Sequence, residues 1–234
     1  LWVAAEWVRA HLLWGFPWNL IGYVWADNVP LLQLAAVGEV WLMSFVLVLL
    51  AAALAAGLWW RVVSVLLVVV LIIWGQLRVT HADVTPLPVE VALIDGQIEE
   101  MTGWTMADRW QQMIYYANKT AQEAGAADII VWPETAVMFD IQRDAFARQT
   151  LAGLLQPQQT LVIGTPWMED DGKIYNAIVT LNAQGQVLSK YFKHNLVPFG
   201  EFVPLRKYIP NVWEIGRFVR QYQDYSAGDG NAYM

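Results

Sequence analysis

The chain contains no cysteine, which excludes disulfides and thiolate metal sites built from its own residues. It is also poor in charge. Charged residues make up 15% of its 234 positions, where about 25% is usual for a soluble domain. No Lys/Arg-rich run occurs and the net charge is -7, so the clustered basic face that nucleic acid requires is missing, and no nucleic-acid partner is expected. His11, His81 and His194 lie far apart with no ligand spacing, so neither a metal nor another cofactor is expected. The chain opens at Leu1 without the basic region and small-residue cleavage site of a signal peptide, and that start reads as an interior point of a longer protein.

What is abundant is apolar surface, 57% of residues, and it is unevenly placed. No charge interrupts the stretch between Glu39 and Arg61, which is long enough to cross a bilayer, a span of about 20 residues. A second apolar run lies between Arg61 and Arg78, with Trp59, Trp60 and Trp74 near its ends as interfacial anchors. Residues 40–60 and 62–77 are therefore predicted to form an antiparallel membrane hairpin turning at Ala56-Gly57-Leu58. A buried soluble helix pair is the alternative, and the uncharged length argues against it. Arg61 at the turn favours that side as cytoplasmic, which puts both outer ends of the hairpin, and everything after Arg78, in the periplasm. Ahead of the hairpin, Glu6, Arg9 and His11 interrupt an apolar stretch that reads as the end of another helix, followed by a loop at Gly15-Phe16-Pro17-Trp18.

After Pro86 and Pro88 the pattern becomes that of an α/β domain. Residues 89–94 read as a buried strand ending at Asp95-Gly96. Residues 105–124 read as an amphipathic helix with Met106, Trp110, Met113, Ala117 and Ala121 on its apolar stripe. Residues 128–132 read as a strand stopped by Pro133, and a polar helix is expected around residues 141–155. Residues 160–164 form the next strand, and residues 175–181 and 187–193 form a hairpin around Asn182-Ala183-Gln184-Gly185. The predicted division is thus residues 1–80 in the membrane with a periplasmic loop, and residues 86–234 as a layered domain.

Three polar spots stand out. Glu134, in Trp132-Pro133-Glu134-Thr135, follows a buried strand, where open sheets hold their ligand crevices. Trp132 and Pro133 beside it are expected to desolvate the carboxylate, favouring its protonated form and a general-base role. A first-turn glutamate of a helix explains its position equally well. Lys193 ends a hairpin strand, where a cation could stabilise an oxyanion, or simply be solvated. Glu201 sits among apolar neighbours in Leu196-Val197-Pro198-Phe199-Gly200-Glu201-Phe202-Val203-Pro204. A surface turn is the ordinary reading, yet a carboxylate held there needs a partner, and Lys193 is the candidate.

Together EWVRAHLLWGFPW, the hairpin, VALIDGQI, IIVWPETA, YNAIVTL and above all KHNLVPFGEFVPL resemble the carbon-nitrogen hydrolase (nitrilase) superfamily, specifically its membrane-bound apolipoprotein N-acyltransferase branch. The resemblance implies membrane α-helices plus α/β: a transmembrane hairpin followed by the N-terminal half of a nitrilase-like αββα sandwich. It implies a Glu–Lys–Cys triad on the periplasmic side of the bacterial inner membrane. Glu134 would be the general base, Lys193 the stabiliser of the tetrahedral intermediate, and Glu201 a supporting glutamate. The cysteine would lie beyond Met234, and the first helices would precede Leu1. The implied reaction moves an acyl chain from a phospholipid, through a thioester, to the α-amine of a diacylglyceryl-modified apolipoprotein cysteine. A membrane-tethered nitrilase-type amidase shares the triad, and a catalytically dead membrane module would tolerate the missing cysteine. Soluble amidases lack the FPW segment and the helices.

Overall fold

An apolar run in a bilayer hides its backbone polar groups only by pairing them within itself. Residues 35–80 do so as two helices in the computed structural model, which describes residues 1–12, 17–96, 105–204 and 224–230. The chain divides into two compact units, Leu1–Pro86 and Leu87–Met234.

In the first unit, α1 (Trp2–His11) is followed by a 3₁₀ turn (Ile21–Trp25), α2 (Val29–Leu32), α3 (Ala35–Ala56) and α4 (Leu58–Thr80). Gly38 and Glu39 leave helical dihedrals, so the regular part of α3 begins after its last charge. Both α3 and α4 are long and apolar enough to cross a membrane. The turn falls at Gly57, whose φ of 135° favours glycine. It ends the first helix four residues earlier than the uncharged stretch indicated. Trp59, Trp60 and Arg61 consequently open α4, and Arg61 Nε donates to the C-terminal carbonyl of Leu54 at 2.9 Å.

The segment between α1 and α3 is not a plain loop. Asn28 caps α2 by accepting from Leu31 N–H, and Trp25, Leu31 and Leu34 pack against Met43, Val46 and Leu50 of α3. Two glycines permit this approach. A Cβ on Gly22 would lie 2.8 Å from Val40 O, and one on Gly75 would lie 1.9 Å from Pro30 O. Buried Glu6 reaches from α1 to accept from Ile21 N–H at 2.8 Å. Of the expected Gly15–Trp18 loop, Gly15 and Phe16 lie outside the described residues.

The second unit holds one sheet in the order β1 (Val91–Leu93), β2 (Ile129–Val131), β3 (Thr160–Met168), β4 (Ile174–Asn182) and β5 (Val187–Phe192). β1, β2 and β3 are parallel, while β4 and β5 return antiparallel. Helices α5 (Met106–Glu123) and α6 (Ala145–Ala152) supply the crossovers. Thr105 and Asp108 form a reciprocal capping box at the start of α5. The inward stripe of α5 is centred on Met113, Tyr116 and Thr120, rotated from the predicted one, so that Met106 is 60% exposed. α6 is shorter than expected because Asp144 caps it, accepting from Ala147 N–H.

Alternation decides the rest. Ile130, Leu161, Ile163, Val179 and Leu181 face the helices and are buried with Met113 and Leu151. Their neighbours Leu93, Val131, Val162, Gly164, Ile178 and Tyr191 take the other face by register. The first strand is therefore not buried as predicted: Ala92 packs inward, whereas Leu93 is 75% exposed.

Gly75→Ala should force α4 away from Pro30. Overpacking of this kind costs about 1–3 kcal/mol, and the expected outcome is a lowered melting temperature in detergent relative to an exposed control such as Val70→Ala.

Candidate active site

The face of the sheet opposite the helices carries the chemistry. After β2 the chain is clamped to β3 twice, by Trp132 N–H to Val162 O at 2.9 Å and Val137 N–H to Gly164 O at 3.1 Å. Between the clamps, residues 133–136 bulge over that face, with Thr135 at φ 56°. The bulge lies so close to β3 that a Cβ on Gly164 would sit 2.6 Å from Glu134 Cα. From the helix side, Gln112 Nε2 donates to Thr135 O at 3.0 Å and to Ala136 O at 3.1 Å. Glu134 thus stands on a fixed turn. No helix begins there, so the first-turn explanation of this glutamate does not hold.

Lys193 reaches the same place from the far side of the sheet. Its N–H donates to Asn176 O at 2.9 Å, extending the β4–β5 ladder by one pair and setting both side chains together. Lys193 Nζ lies 3.1 Å from Glu134 Oε1 and 3.0 Å from Glu201 Oε1. Asn176 Nδ2 donates to the same two oxygens. Glu201 is held by its own loop: Val197 N–H donates to Oε2 at 2.7 Å, and Glu201 N–H returns to Val197 O at 2.8 Å. Phe199 takes φ 62° at the tip of this loop. All three residues singled out in the sequence are therefore brought together, and the partner inferred for Glu201 is in place. Glu134 and Lys193, with Asn176, border a cavity of about 310 Å³ walled by Val131, Val162, Ile178 and Tyr191.

The two glutamates differ. The side chain of Glu201 is 11% exposed and both its oxygens accept hydrogen bonds. The Glu134 side chain is 60% exposed, and its Oε2 accepts none among the described residues. Of the pair, Glu134 is the one with an oxygen that accepts no hydrogen bond among the described residues.

The expectation that Trp132 desolvates Glu134 fails. Trp132 points into the core, where its Nε1 donates to Thr120 Oγ1 at 2.8 Å and its ring stacks on Tyr116. Partial burial does push the Glu134 carboxyl up, but the hydrogen bonds from Lys193 and Asn176 outweigh it and hold the group below its ordinary range. Burial acts against the Lys193 ammonium, yet the hydrogen bonds to Glu201 and Glu134 carry its pKa above the usual lysine value.

Residues 224–230 dock on the site loops: Tyr225 N–H donates to Glu201 O at 2.8 Å, Ser226 N–H to Ile174 O at 2.7 Å and Gly228 N–H to Lys193 O at 2.9 Å. His194 Nδ1 lies 2.6 Å from Gly228 O, and a Cβ on Gly228 would meet Phe192 O at 2.2 Å.

Asn176 and Gln112 were not singled out from the sequence. Asn176 carries a signal nonetheless, a polar residue inside the alternating strand Ile174–Asn182 on the face opposite Ala177 and Val179. Gln112 adjoins Met113 on the buried stripe of α5.

A sheet with a Glu–Lys–Glu cluster at the ends of β2 and β5 defines a class. The chain belongs to the carbon-nitrogen hydrolase family, whose model matches residues 90–229. Residues 1–53 match a second model, the apolipoprotein N-acyltransferase N-terminal domain. The chain is 37% identical over 223 residues to the apolipoprotein N-acyltransferase of Azotobacter vinelandii, covering 88% of this chain and 42% of that protein. To that of Geobacter metallireducens it is 34% identical over 252 aligned positions, covering 97% and 47%. To that of Vibrio vulnificus it is 33% identical over 218, covering 88% and 43%. The chain thus spans less than half the length of these curated relatives.

The opposed shifts give a pH dependence of defined sign. Glu134 is depressed, so its interaction is complete above its ordinary value of 4.5 and is lost as pH falls through the depressed one. Lys193 is raised, so its interaction is complete below 10.5 and is lost as pH rises through the raised value. Water screens so exposed a pair, so the measurement is a carboxyl ¹³C titration rather than a melt. Lys193→Met should move the Glu134 titration to higher pH, and an unmoved curve would count against the pairing.

Proposed function

We propose that this chain is the base-and-lysine portion of an apolipoprotein N-acyltransferase. Residues 1–80 would be its membrane-embedded part with a periplasmic loop, and residues 86–234 part of its catalytic domain. The observation that carries the reading is the single ammonium of Lys193 bridging Glu134 and Glu201, in a chain whose other half pairs two membrane-length apolar helices. In the reaction, Glu134 Oε2 takes the proton of a cysteine thiol supplied from outside these 234 residues. The thiolate attacks the ester carbonyl of a phospholipid, and the Lys193 ammonium balances the oxyanion. The protonated Glu134 returns its proton to the departing lysophospholipid oxygen, leaving a thioester. The α-amine of a diacylglyceryl-cysteine apolipoprotein then attacks, Glu134 accepts the amine proton, and the thiolate leaves as the amide forms.

Both substrates are lipids embedded in the bilayer. A catalytic domain tethered beside membrane helices meets them without moving acyl chains into water, where each methylene would cost about 0.8 kcal/mol to expose. The proposed location is the bacterial inner membrane, multi-pass, with the Glu134 cluster on the periplasmic side. The three apolipoprotein N-acyltransferase relatives and the hairpin support this placement.

The assay is acyl transfer from phospholipid to a diacylglyceryl peptide in detergent, with the whole protein that contains this chain. Glu134→Gln should lower kcat by roughly 10²–10⁴-fold, the usual worth of a general base. The 234-residue chain alone, having no thiol, should form no thioester. Amide hydrolysis without acyl transfer would replace this reading with that of a tethered amidase. Reporter fusions at Gly57–Arg61 should report a cytoplasmic turn, and periplasmic signal there would reverse the orientation.

A further inference from the structure

Two carboxylates and one ammonium do not balance. If Glu134 and Glu201 are both ionised, their Oε1 atoms repel one another across Lys193 Nζ, and one positive charge offsets only one of them. Asn176 closes this gap. Its Nδ2 lies 2.5 Å from Glu134 Oε1 and 2.7 Å from Glu201 Oε1, while Lys193 Nζ lies 3.1 Å and 3.0 Å from the same atoms. Two donors and two acceptors therefore alternate around a four-centred ring. The partners fix the amide's orientation, because turning it over would press its oxygen against two carboxylate oxygens. Both hydrogens of the carboxamide nitrogen are used, which is all that it has to give.

The fold holds the amide there by backbone bonds rather than by the ring itself. Asn176 lies in β4, paired with Pro166 of β3, and its carbonyl accepts from Lys193 N–H. The residue is 8% exposed, so an amide left unpartnered in this position would be costly. Glu201 is anchored independently through Val197 N–H. Glu134, whose second oxygen has no partner among the described residues, depends on the ring for its aim.

We propose that Asn176 is a positioning residue of this site, a neutral donor that lets two carboxylates share one ammonium and fixes Glu134 with only Oε2 directed to a substrate proton. The inference deepens the acyltransferase reading and names a residue on which that same site depends. It also separates donation from space-filling. Aspartate has the shape of asparagine but would bring a third carboxylate into the ring. Alanine removes both hydrogen bonds without adding charge. Donation therefore ranks Asn176→Asp below Asn176→Ala, whereas a packing role ranks them the other way.

The test uses the whole protein that contains this chain, with Asn176→Ala and Asn176→Asp assayed for phospholipid-to-peptide acyl transfer across pH. The expected result is a roughly ten- to hundredfold fall in kcat for Asn176→Ala with KM little changed. The acid limb of its pH profile should move to higher pH, and Asn176→Asp should lose more. An Asn176→Asp protein more active than Asn176→Ala, or an unmoved acid limb in Asn176→Ala, would overturn the proposal. Should Asn176→Asp fail to fold, the alanine variant decides through its pH profile. Should the unsubstituted protein transfer no acyl group, the functional reading falls by itself, and the positioning role is then judged by ¹³C titration of Glu134. A shift to higher pH in Asn176→Ala supports it, and an unchanged titration overturns it.

Discussion

The ion cluster around Lys193 is the constraint on which the second unit depends. A single ammonium tied to carboxylates from two separate loops demands that the ends of β2 and β5 arrive at one point. The sheet meets that demand by its order: three parallel strands deliver Glu134 and two antiparallel ones return Lys193 to the same face. Placing the cluster opposite α5 and α6 leaves the apolar core free of charge among the described residues, and Gln112 crosses from the core side to steady the turn. The arrangement also divides labour between two chemically identical groups. Hydrogen bonds to both oxygens hold Glu201 in place, while Glu134 keeps one oxygen without a hydrogen bond among the described residues, which is the basis of the base role proposed for it.

Much of this was legible in the sequence because it is written in short-range signals. Uncharged length marked the hairpin, Glu134 and Lys193 fell just after strands, and Glu201 fell in a loop shaped by proline and glycine. A buried carboxylate requires a partner, which was enough to pair Glu201 with Lys193. Other features depend on information that a linear pattern does not hold. The turn at Gly57 was itself legible, but uncharged length alone carried the first helix on to residue 60 and so gave Trp59 and Trp60 to the wrong side of the boundary between α3 and α4. Trp132 lies two positions before Glu134 and follows Ile130 in sending its ring into the core, while the turn at residues 133–136 carries Glu134 to the other face, so proximity in the chain misstated the electrostatics. Asn176 needed the register of β4 against Lys193 before its amide acquired meaning.

Glycine carries a shared logic in both units. Gly22 and Gly75 let a short segment lie against α3 and α4, and Gly164 lets the Glu134 turn lie against β3. In each case the missing side chain is what permits backbone to approach backbone, so these positions hold shape more than they hold flexibility.

The docking of residues 224–230 has a kinetic meaning. Gly228 and Tyr225 bond to the carbonyls of Lys193 and Glu201, and His194 meets Gly228 from 34 positions away in the chain. Closing so long a loop carries an entropic penalty that local strand pairing does not. Contacts of that separation form late, after the hairpin of β4 and β5 has already gained its stability. During synthesis the lysine and the second glutamate therefore emerge before the segment that ties them down. A chain arrested before residue 224 would carry Lys193 and Glu201 without the backbone bonds that residues 224–230 add to them.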